Sequence, residues 1–219
     1  MSTSTSSNVV SAVSGITRSL ASFIESAPEA PPADTVTVAP GRNVSPRTGM
    51  PRRYRADWVR PTDAVWTAHF SRIMRRIREG GIIALIGPRG TGKTRLAAEA
   101  MRDFARERGD YTTAMGLFLR IRASYGKNND ESEKEIITHM ARSRLLVIDE
   151  IQERGNTTWE DRLLTHILDS RYGAMVPTIL IANLTEPALS ECLGDSIISR
   201  LKEIGGIIEI SGPSHRTQP

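Results

Sequence analysis

Short apolar runs alternate with helical patterns along most of the chain. Five such runs predict strands at 82–86, 113–118, 145–149, 178–182 and 207–210. Apolar positions three and four residues apart occupy most of the intervals, and the first of these helices is expected to begin after Thr62 or Asp63 and to end at Gly80-Gly81. Because strands that alternate with helices favour a parallel sheet covered on both faces, the predicted fold class is α/β.

A separate apolar stripe lies near the start of the chain, at 8–26. Its members recur at the spacing of one helix face: Val9, Val13, Ile16, Leu20, Phe23 and Ile24. The following stretch is rich in proline and alanine, which is typical of a linker. Three destinations for the stripe stay open: the chain's own core, a partner protein, or a membrane surface. The pattern divides the chain into an extension (1–48), a body (49–211) and a tail (212–219).

A glycine-rich interval joins the first predicted strand to the next helix. Its sequence, Gly87-Pro88-Arg89-Gly90-Thr91-Gly92-Lys93-Thr94, matches G-x-x-x-x-G-K-[ST], the phosphate-binding P-loop. Glycines let backbone N–H groups face phosphate oxygens, and the helix N-terminus adds its positive end. Lys93 is expected to reach the β- and γ-phosphates of a nucleotide, and the Thr94 hydroxyl to bind Mg²⁺.

Three further sites carry polar residues that suit nucleotide chemistry. The strand at 145–149 ends in Asp149-Glu150, the Walker B pattern. Asp149 is expected to hold Mg²⁺, directly or through water, and Glu150 to orient and polarise the attacking water. Asn183 follows the strand at 178–182, where it either reaches the γ-phosphate or only terminates the strand. Arg200 lies late on a predicted helix, where it either stabilises phosphoryl transfer in a neighbouring subunit or forms a surface ion pair.

Composition narrows the class of protein. Hydrophobic residues make up 39% of the 219 residues and charged residues 25%, and no apolar run approaches the roughly 18 residues of a membrane span. The single cysteine, Cys192, excludes a disulfide within the chain and favours a reducing, cytoplasmic compartment. The net charge of +4 suits an anionic partner.

Taken together, these segments resemble the DnaC/IstB-like branch of the AAA+ ATPases. The resemblance spans roughly residues 49–210 and rests on the P-loop, the run ending at Glu150, the strand ending at Asn183, the stretch 195–201 and Gly49-Met50-Pro51-Arg52-Arg53-Tyr54. It implies a P-loop AAA+ core with a parallel five-stranded sheet flanked by helices and little or no C-terminal lid. By motif match it assigns Lys93 and Thr94 to the P-loop pair, Asp149 and Glu150 to the Walker B pair, Asn183 to sensor 1, Arg200 to the arginine finger and Tyr54 to the neighbourhood of the adenine.

The resemblance also implies a function. Members of this branch bind ATP between protomers, so a homo-oligomer on ATP and DNA is expected. The first interpretation is an ATPase that binds single-stranded DNA and delivers a replicative helicase, captured through 8–26, in DNA replication. The short extension, without a cysteine-rich zinc module, is similar to that of loaders from phages or prophages. The alternative is a transposase helper that prefers duplex DNA. A third interpretation, a module that uses nucleotide only as a switch, is disfavoured by Glu150.

Two basic stretches are candidates for DNA contact. Ten arginines and two acids fall between residues 42 and 78, a pattern that suits either phosphate binding or a solvated helix face and linker. The second stretch lies at 120–127, where the family carries an inserted helix that faces DNA. Within it, Arg120, Arg122 and Lys127 would pair with phosphates and Tyr125 would stack on a base, and we prefer this stretch.

Overall fold

A parallel five-stranded sheet organises the chain. The computed structural model describes residues 49–54, 60–105, 108–126, 131–204 and 206–212. The strands are β1 (Ile82–Ile86), β2 (Gly109–Thr113), β3 (Leu145–Asp149), β4 (Thr178–Ile181) and β5 (Ile207–Glu209), in the spatial order β2-β3-β4-β1-β5. The helices are α1 (Ala64–Glu79), α2 (Lys93–Phe104), α3 (Ala114–Ala123), α4 (Glu133–Arg142), α5 (Thr158–Gly173) and α6 (Glu186–Glu203), with a short 3-10 turn at Arg52–Tyr54. The predicted α/β fold is confirmed.

The three central strands are buried along their whole length. Every residue of β1, β3 and β4 is buried, which explains why these strands read as continuous apolar runs rather than alternating patterns. β4 pairs with both neighbours, so that Ile179 lies opposite Ile83 on one side and Val147 on the other. Because all these pairings are parallel, the carboxyl ends of β1, β3 and β4 emerge at one edge of the sheet.

Alternate side chains of the strands divide the core into two layers. On one face, Ile82, Ala84 and Ile86 of β1 pack with residues of α3, α4, α5 and α6. On the other face, Ile83 and Leu85 pack with α1 and α2. This period-two division is what a strand covered by helices on both sides requires.

The second strand lies earlier in the chain than predicted. The prediction of a strand at 113–118 was wrong, because β2 ends at Thr113 and α3 follows without a loop. The Thr113 hydroxyl caps this helix by accepting a hydrogen bond from the Gly116 N–H at 3.0 Å. The apolar residues of the run have the spacing of one helix face: Ala114, Leu117, Phe118 and Ile121. β2 itself is an edge strand with a largely polar sequence, so its hydrophobic signal is weak.

The ends of α1 agree with the sequence prediction. The Asp63 carboxylate accepts a hydrogen bond from the Trp66 N–H at 2.8 Å, and Gly80 ends the helix with a φ of 83°. The predicted helix at 8–26, the rest of the extension and residues 213–219 lie outside the described residues, and the proposed domain limits therefore stay a prediction. Within the described ranges no helix follows β5, and none has the length and apolar content that crossing a bilayer demands.

Arg171 is a fully buried cation that joins three elements. Its guanidinium on α5 donates hydrogen bonds to the carbonyl oxygens of Met140, Ala141, Ser143 and Pro177 and to the hydroxyl of Thr178. The last carbonyl groups of a helix have no partner within the helix, so Arg171 satisfies the end of α4 and also the start of β4. Burial lowers the pKa of Arg171, yet a guanidinium with so many acceptors stays charged.

We expect Arg171→Met to reduce the free energy of unfolding by about 3–5 kcal/mol, since several buried carbonyl groups lose their donor. Urea denaturation followed by circular dichroism measures the change. Arg162→Met, at an exposed position of the same helix, is the matched control and should shift stability by less than about 0.5 kcal/mol. A loss below about 1 kcal/mol for Arg171→Met would contradict this role of the guanidinium.

Candidate nucleotide-binding site

A cleft of about 870 Å³ opens at the carboxyl edge of the sheet. It is lined by segments from five parts of the chain: the P-loop with the start of α2, the end of β3 with the residues after it, Asn183 after β4, the lead-in segment (residues 49–54), and the junction of β2 and α3. The lining includes the sequence-predicted residues Arg89, Gly90, Gly92, Lys93, Thr94, Asp149, Glu150, Asn183 and Tyr54. The volume lies in the range of small-ligand sites, and several polar groups converge in it.

The P-loop has a backbone conformation that residues with a Cβ atom rarely adopt. Gly87, Gly90 and Gly92 have φ values of 124°, 87° and 88°, in the region that glycine favours. A Cβ atom on Gly87 would also lie 2.4 Å from the carbonyl oxygen of Ile210. The loop leads directly into α2, whose first residues, 93–95, line the cleft. The first amides of a helix lack partners within it and are natural donors to an anion.

The side chain of Lys93 is held by carbonyl groups of the P-loop. Its ammonium donates to the oxygens of Gly87 at 2.8 Å and Pro88 at 2.6 Å, and only 4% of the residue is exposed. The Thr91 hydroxyl donates to the same Pro88 oxygen at 3.0 Å. The positive charge is therefore placed at the P-loop, where phosphate oxygens are natural acceptors for an ammonium.

The side chains of Thr94 and Asp149 are in contact. Thr94 follows β1 and Asp149 ends β3, two strands that β4 separates. The Thr94 hydroxyl, in the first turn of α2, donates to Asp149 Oδ2 at 2.8 Å. Within the described ranges, no group of three or more His, Cys, Asp or Glu side chains has the geometry to hold a metal alone. A single carboxylate beside a hydroxyl nevertheless fits Mg²⁺, which binds proteins through few oxygens and completes its shell with phosphates and water.

Glu150 has a strained backbone next to this pair. Its φ of 55° is uncommon for a residue with a side chain, and its N–H donates to Asp149 Oδ1 at 2.8 Å. Glu150 is exposed and lines the cleft. Strain of this kind tends to persist where it places a reactive group, and an accessible carboxylate suits a general base.

The residues after β3 and β4 are linked across the cleft. The Asn183 N–H donates to Gln152 Oε1 at 3.2 Å, which fixes the end of β4 beside the end of β3. Arg89 of the P-loop forms an ion pair with Glu153 at 2.9 Å, and both residues line the cleft. Sequence reasoning missed Gln152 and Glu153, which follow the Walker B acids without a motif of their own.

Tyr111 is a cleft residue that the sequence analysis also missed. Its hydroxyl donates to Asp149 Oδ2 at 2.9 Å, the same oxygen that Thr94 contacts. Burial and the neighbouring Asp149 carboxylate raise the pKa of the Tyr111 phenol, which keeps it protonated as a donor. The misplaced strand at 113–118 hid Tyr111, because only the true β2 brings it beside β3, opposite Val147.

The lead-in segment supplies the other wall of the cleft. The Arg53 guanidinium lies 5.0 Å from the centre of the Tyr54 ring, and the carbonyl oxygen of Arg53 accepts a hydrogen bond from Arg95 at 3.4 Å. Pro51, Arg53, Tyr54 and Arg95 all line the cleft. An aromatic ring beside guanidinium groups suits a flat nucleobase.

Arg200 does not line the cleft of its own chain. It lies on α6, after a break in the helix at Gly194, and pairs with Asp169 at 3.1 Å. Its guanidinium also lies 5.6 Å from the centre of the Tyr172 ring. The side chain is 26% exposed, so this arginine is a surface residue that takes part in a local ion pair.

The preferred DNA-contact residues lie beside carboxylates of the same chain. Arg120 forms two-point contacts with Glu131 at 2.6–2.9 Å, and Arg122 lies 3.5 Å from Glu160 and 5.3 Å from the centre of the Trp159 ring. The Tyr125 hydroxyl donates to Glu133 at 2.6 Å. Lys127 lies outside the described residues. In the first basic stretch, Arg60 pairs with Glu99 and Asp103, and Arg76 pairs with Glu79.

Comparison with known proteins gives these features a context. Residues 72–219 match the family model described as IstB-like ATP binding protein. The replicative helicase loader DnaC of Buchnera aphidicola (subspecies Baizongia pistaciae) is 28% identical over 119 residues, which cover 53% of this chain and 48% of that protein. DnaC of Escherichia coli K12 is 25% identical over 127 residues, which cover 57% and 52%. The chain thus spans about half the length of the curated relatives it matches.

Solved structures share the fold. The crystal structure of the DnaC helicase loader superposes with a TM-score of 0.60 at 21% identity, covering 74% of this chain and all of that one. The replication initiator DnaA bound to AMPPCP and single-stranded DNA gives a TM-score of 0.58 at 19% identity, covering 75% of this chain and 51% of that one. These likenesses confirm the predicted fold, a parallel five-stranded sheet flanked by helices.

We expect Lys93→Ala to raise the Kd for a fluorescent ATP analogue by about 10- to 100-fold, because the phosphates lose a charged donor. Fluorescence titration of the purified full chain measures the Kd. Lys134→Ala, at an exposed position of α4, is the matched control and should bind as the wild type does. A Kd for Lys93→Ala within about threefold of wild type would refute the site assignment.

Proposed function

The chain belongs to the family of IstB-like ATP binding proteins, and we propose that it is a Mg²⁺-dependent ATPase that loads a replicative helicase onto single-stranded DNA. The observation that carries the proposal is the cleft in which Lys93, Thr94, Asp149 and Glu150 converge. The relatives named replicative helicase loader support the choice of partner.

The proposed chemistry follows from the contacts in the cleft. ATP would supply the γ-phosphoryl group, and Mg²⁺ would neutralise charge on its phosphates. The amides of the P-loop and of the first turn of α2 hold the phosphates, and Lys93 exchanges its loop carbonyls for phosphate oxygens. Glu150 orients the attacking water and accepts its proton, while Asn183 donates a hydrogen bond from its amide.

Arg200 is proposed to act on the nucleotide of a neighbouring subunit. It does not line its own cleft, and it is partly exposed on a surface helix, so a second protomer can approach it. An arginine supplied in this way stabilises charge in the transition state of phosphoryl transfer. The pair with Asp169 would hold the guanidinium until a nucleotide phosphate replaces the carboxylate. We therefore propose a homo-oligomer that forms on ATP and DNA.

Single-stranded DNA is proposed to bind at the end of α3. Arg122 and Tyr125 adjoin Trp159, so this surface combines guanidinium groups with aromatic rings. Phosphates would compete with Glu131 for Arg120, which predicts strong dependence on salt. Lys127, four positions from Ala123 in the sequence, is proposed to pair with a phosphate as well. The solved DnaA complex with single-stranded DNA shares the fold and is consistent with this proposal.

The helicase is proposed to dock on residues 8–26. We expect the full chain to co-elute with the host's replicative helicase in the presence of ATP, and a chain that lacks residues 1–40 to lose the complex, since the apolar stripe goes with it. Size-exclusion chromatography with and without ATP measures complex formation. Lys93→Ala serves as the control for nucleotide dependence.

Other outcomes of this experiment decide against the proposal. Complex formation by the shortened chain would rule out docking through 8–26. The absence of any complex under every nucleotide condition would favour the transposase helper, which the IstB-like family match also allows. A preference for duplex over single-stranded DNA in a binding assay would then support that alternative.

Catalysis across a subunit interface has its own test. We expect Glu150→Gln and Arg200→Ala each to lose most ATPase activity, and a mixture of the two chains to regain part of it, because some mixed interfaces combine an intact Glu150 with an intact Arg200. Steady-state phosphate release at several mixing ratios, with DNA present, measures the recovery. Lys202→Ala, one turn or less from Arg200 on the same helix, is the matched control. No recovery at any ratio would argue against hydrolysis in trans.

A further inference from the structure

Three hydrogen bonds converge on the carboxylate of Asp149. Oδ1 accepts from the Glu150 N–H at 2.8 Å, and Oδ2 accepts from the Thr94 hydroxyl at 2.8 Å and the Tyr111 hydroxyl at 2.9 Å. Thr94 and Glu150 belong to the P-loop and Walker B motifs, whereas Tyr111 belongs to neither. Its contact is therefore an addition that the motifs do not require.

The arrangement determines how the Thr94 hydroxyl is oriented. Because its proton is directed to Asp149, the lone pairs of Thr94 Oγ1 are free for a cation. This orientation holds only while the carboxylate keeps its rotamer. Tyr111 approaches the same oxygen from β2, on the other side of β3 from the P-loop strand, and so restrains the rotation of Asp149.

Tyr111 is itself fixed by its surroundings. It lies on β2 opposite Val147, and its residue is half-buried. The lead-in segment packs against its main chain so closely that a Cβ atom on Gly49 would lie 2.0 Å from the Tyr111 carbonyl oxygen. Met50, the next residue, is 5% exposed in the same layer of the core. A tyrosine held in this way can restrain a partner without a large loss of its own entropy.

We propose that Tyr111 is a positioning residue for the magnesium site: its hydroxyl fixes the Asp149 carboxylate, which in turn presents Thr94 to the cation. The inference rests on the nucleotide site of the proposed function and adds a residue to it. Groups that hydrogen-bond to metal-binding carboxylates usually affect metal affinity, and their loss costs about 10- to 100-fold. Tyr111 is expected to act at the low end of this range, because Thr94 and Glu150 still contact Asp149 in its absence.

The test uses Tyr111→Phe in the full chain, which removes the hydroxyl and keeps the ring. The Kd for a fluorescent ATP analogue is measured first in EDTA and then over a series of Mg²⁺ concentrations. In EDTA we expect the variant and wild type to agree within about twofold, because Tyr111 does not contribute to the P-loop. The Mg²⁺ concentration that gives half of the gain in affinity is expected to rise about tenfold in the variant.

A matched control isolates the position of the hydroxyl. Tyr172→Phe removes a phenol that also donates to a carboxylate, that of Glu203, but away from the cleft. It should show the wild-type response to Mg²⁺. Thermal unfolding without nucleotide should give the same Tm for both variants and wild type within about 3 °C, which excludes a general loss of structure.

Each remaining outcome contradicts the inference. An unchanged Mg²⁺ requirement in Tyr111→Phe would show that Thr94 and Glu150 suffice to hold Asp149. A lower requirement would show that the hydroxyl competes with the metal. Weaker binding in EDTA would assign Tyr111 to the nucleotide itself rather than to the metal. If wild type does not respond to Mg²⁺ at all, the proposed ATPase site fails as well, whereas failure of helicase co-elution alone leaves this inference intact.

Discussion

The position of β4 between β1 and β3 is the constraint on which the cleft depends. Neighbouring strands lie about 4.8 Å apart, so the ends of β1 and β3 are separated by roughly 10 Å. The P-loop crosses this gap, and the hydrogen bond from Thr94 to Asp149 closes it over the end of β4. Asn183 follows β4 and so lies between the two motifs. Since all three strands are buried on both faces, a slip in their register would disrupt both layers of the core.

The charge pattern shows why a basic composition is a poor guide to a nucleic-acid surface. The chain has a net charge of +4, yet many of its arginines contact acids of the same chain. The buried Glu99 pairs with three arginines, Arg60, Arg95 and Arg102, and the contact with Arg60 ties α2 to the segment that leads into α1. Such arginines reinforce the fold and contribute less to an external field. The same holds at the end of α3, where Arg120 pairs with Glu131 and Arg122 lies 3.5 Å from Glu160.

Sequence reasoning succeeded where the chemistry is local and failed where it depends on neighbours in space. The P-loop, Asp149 and the strands β1, β3, β4 and β5 could be predicted because a motif or an apolar run marks each of them within one residue or so. β2 could not, since an edge strand with sequence Gly109–Thr113 is largely polar and the amphipathic α3 follows at once. Tyr111 and Arg171 have no local signature, because the partner of Tyr111 lies 38 residues away and the partners of Arg171 at the end of α4 lie 28 to 31 residues away.

The contacts of Lys93 affect how a nucleotide binds to the cleft and leaves it. An ammonium already bound to the carbonyls of Gly87 and Pro88 does not wait unsatisfied for a ligand. Arrival of a nucleotide is then an exchange of partners, and departure is the reverse exchange, with the loop recapturing the charge. Neither direction leaves a buried cation bare, so the barrier to emptying the cleft is lowered. The exchange limits affinity, since the phosphate contacts that Lys93 gains are offset by the loop contacts that it gives up. A cleft built in this way favours exchange of its ligand over permanent occupancy.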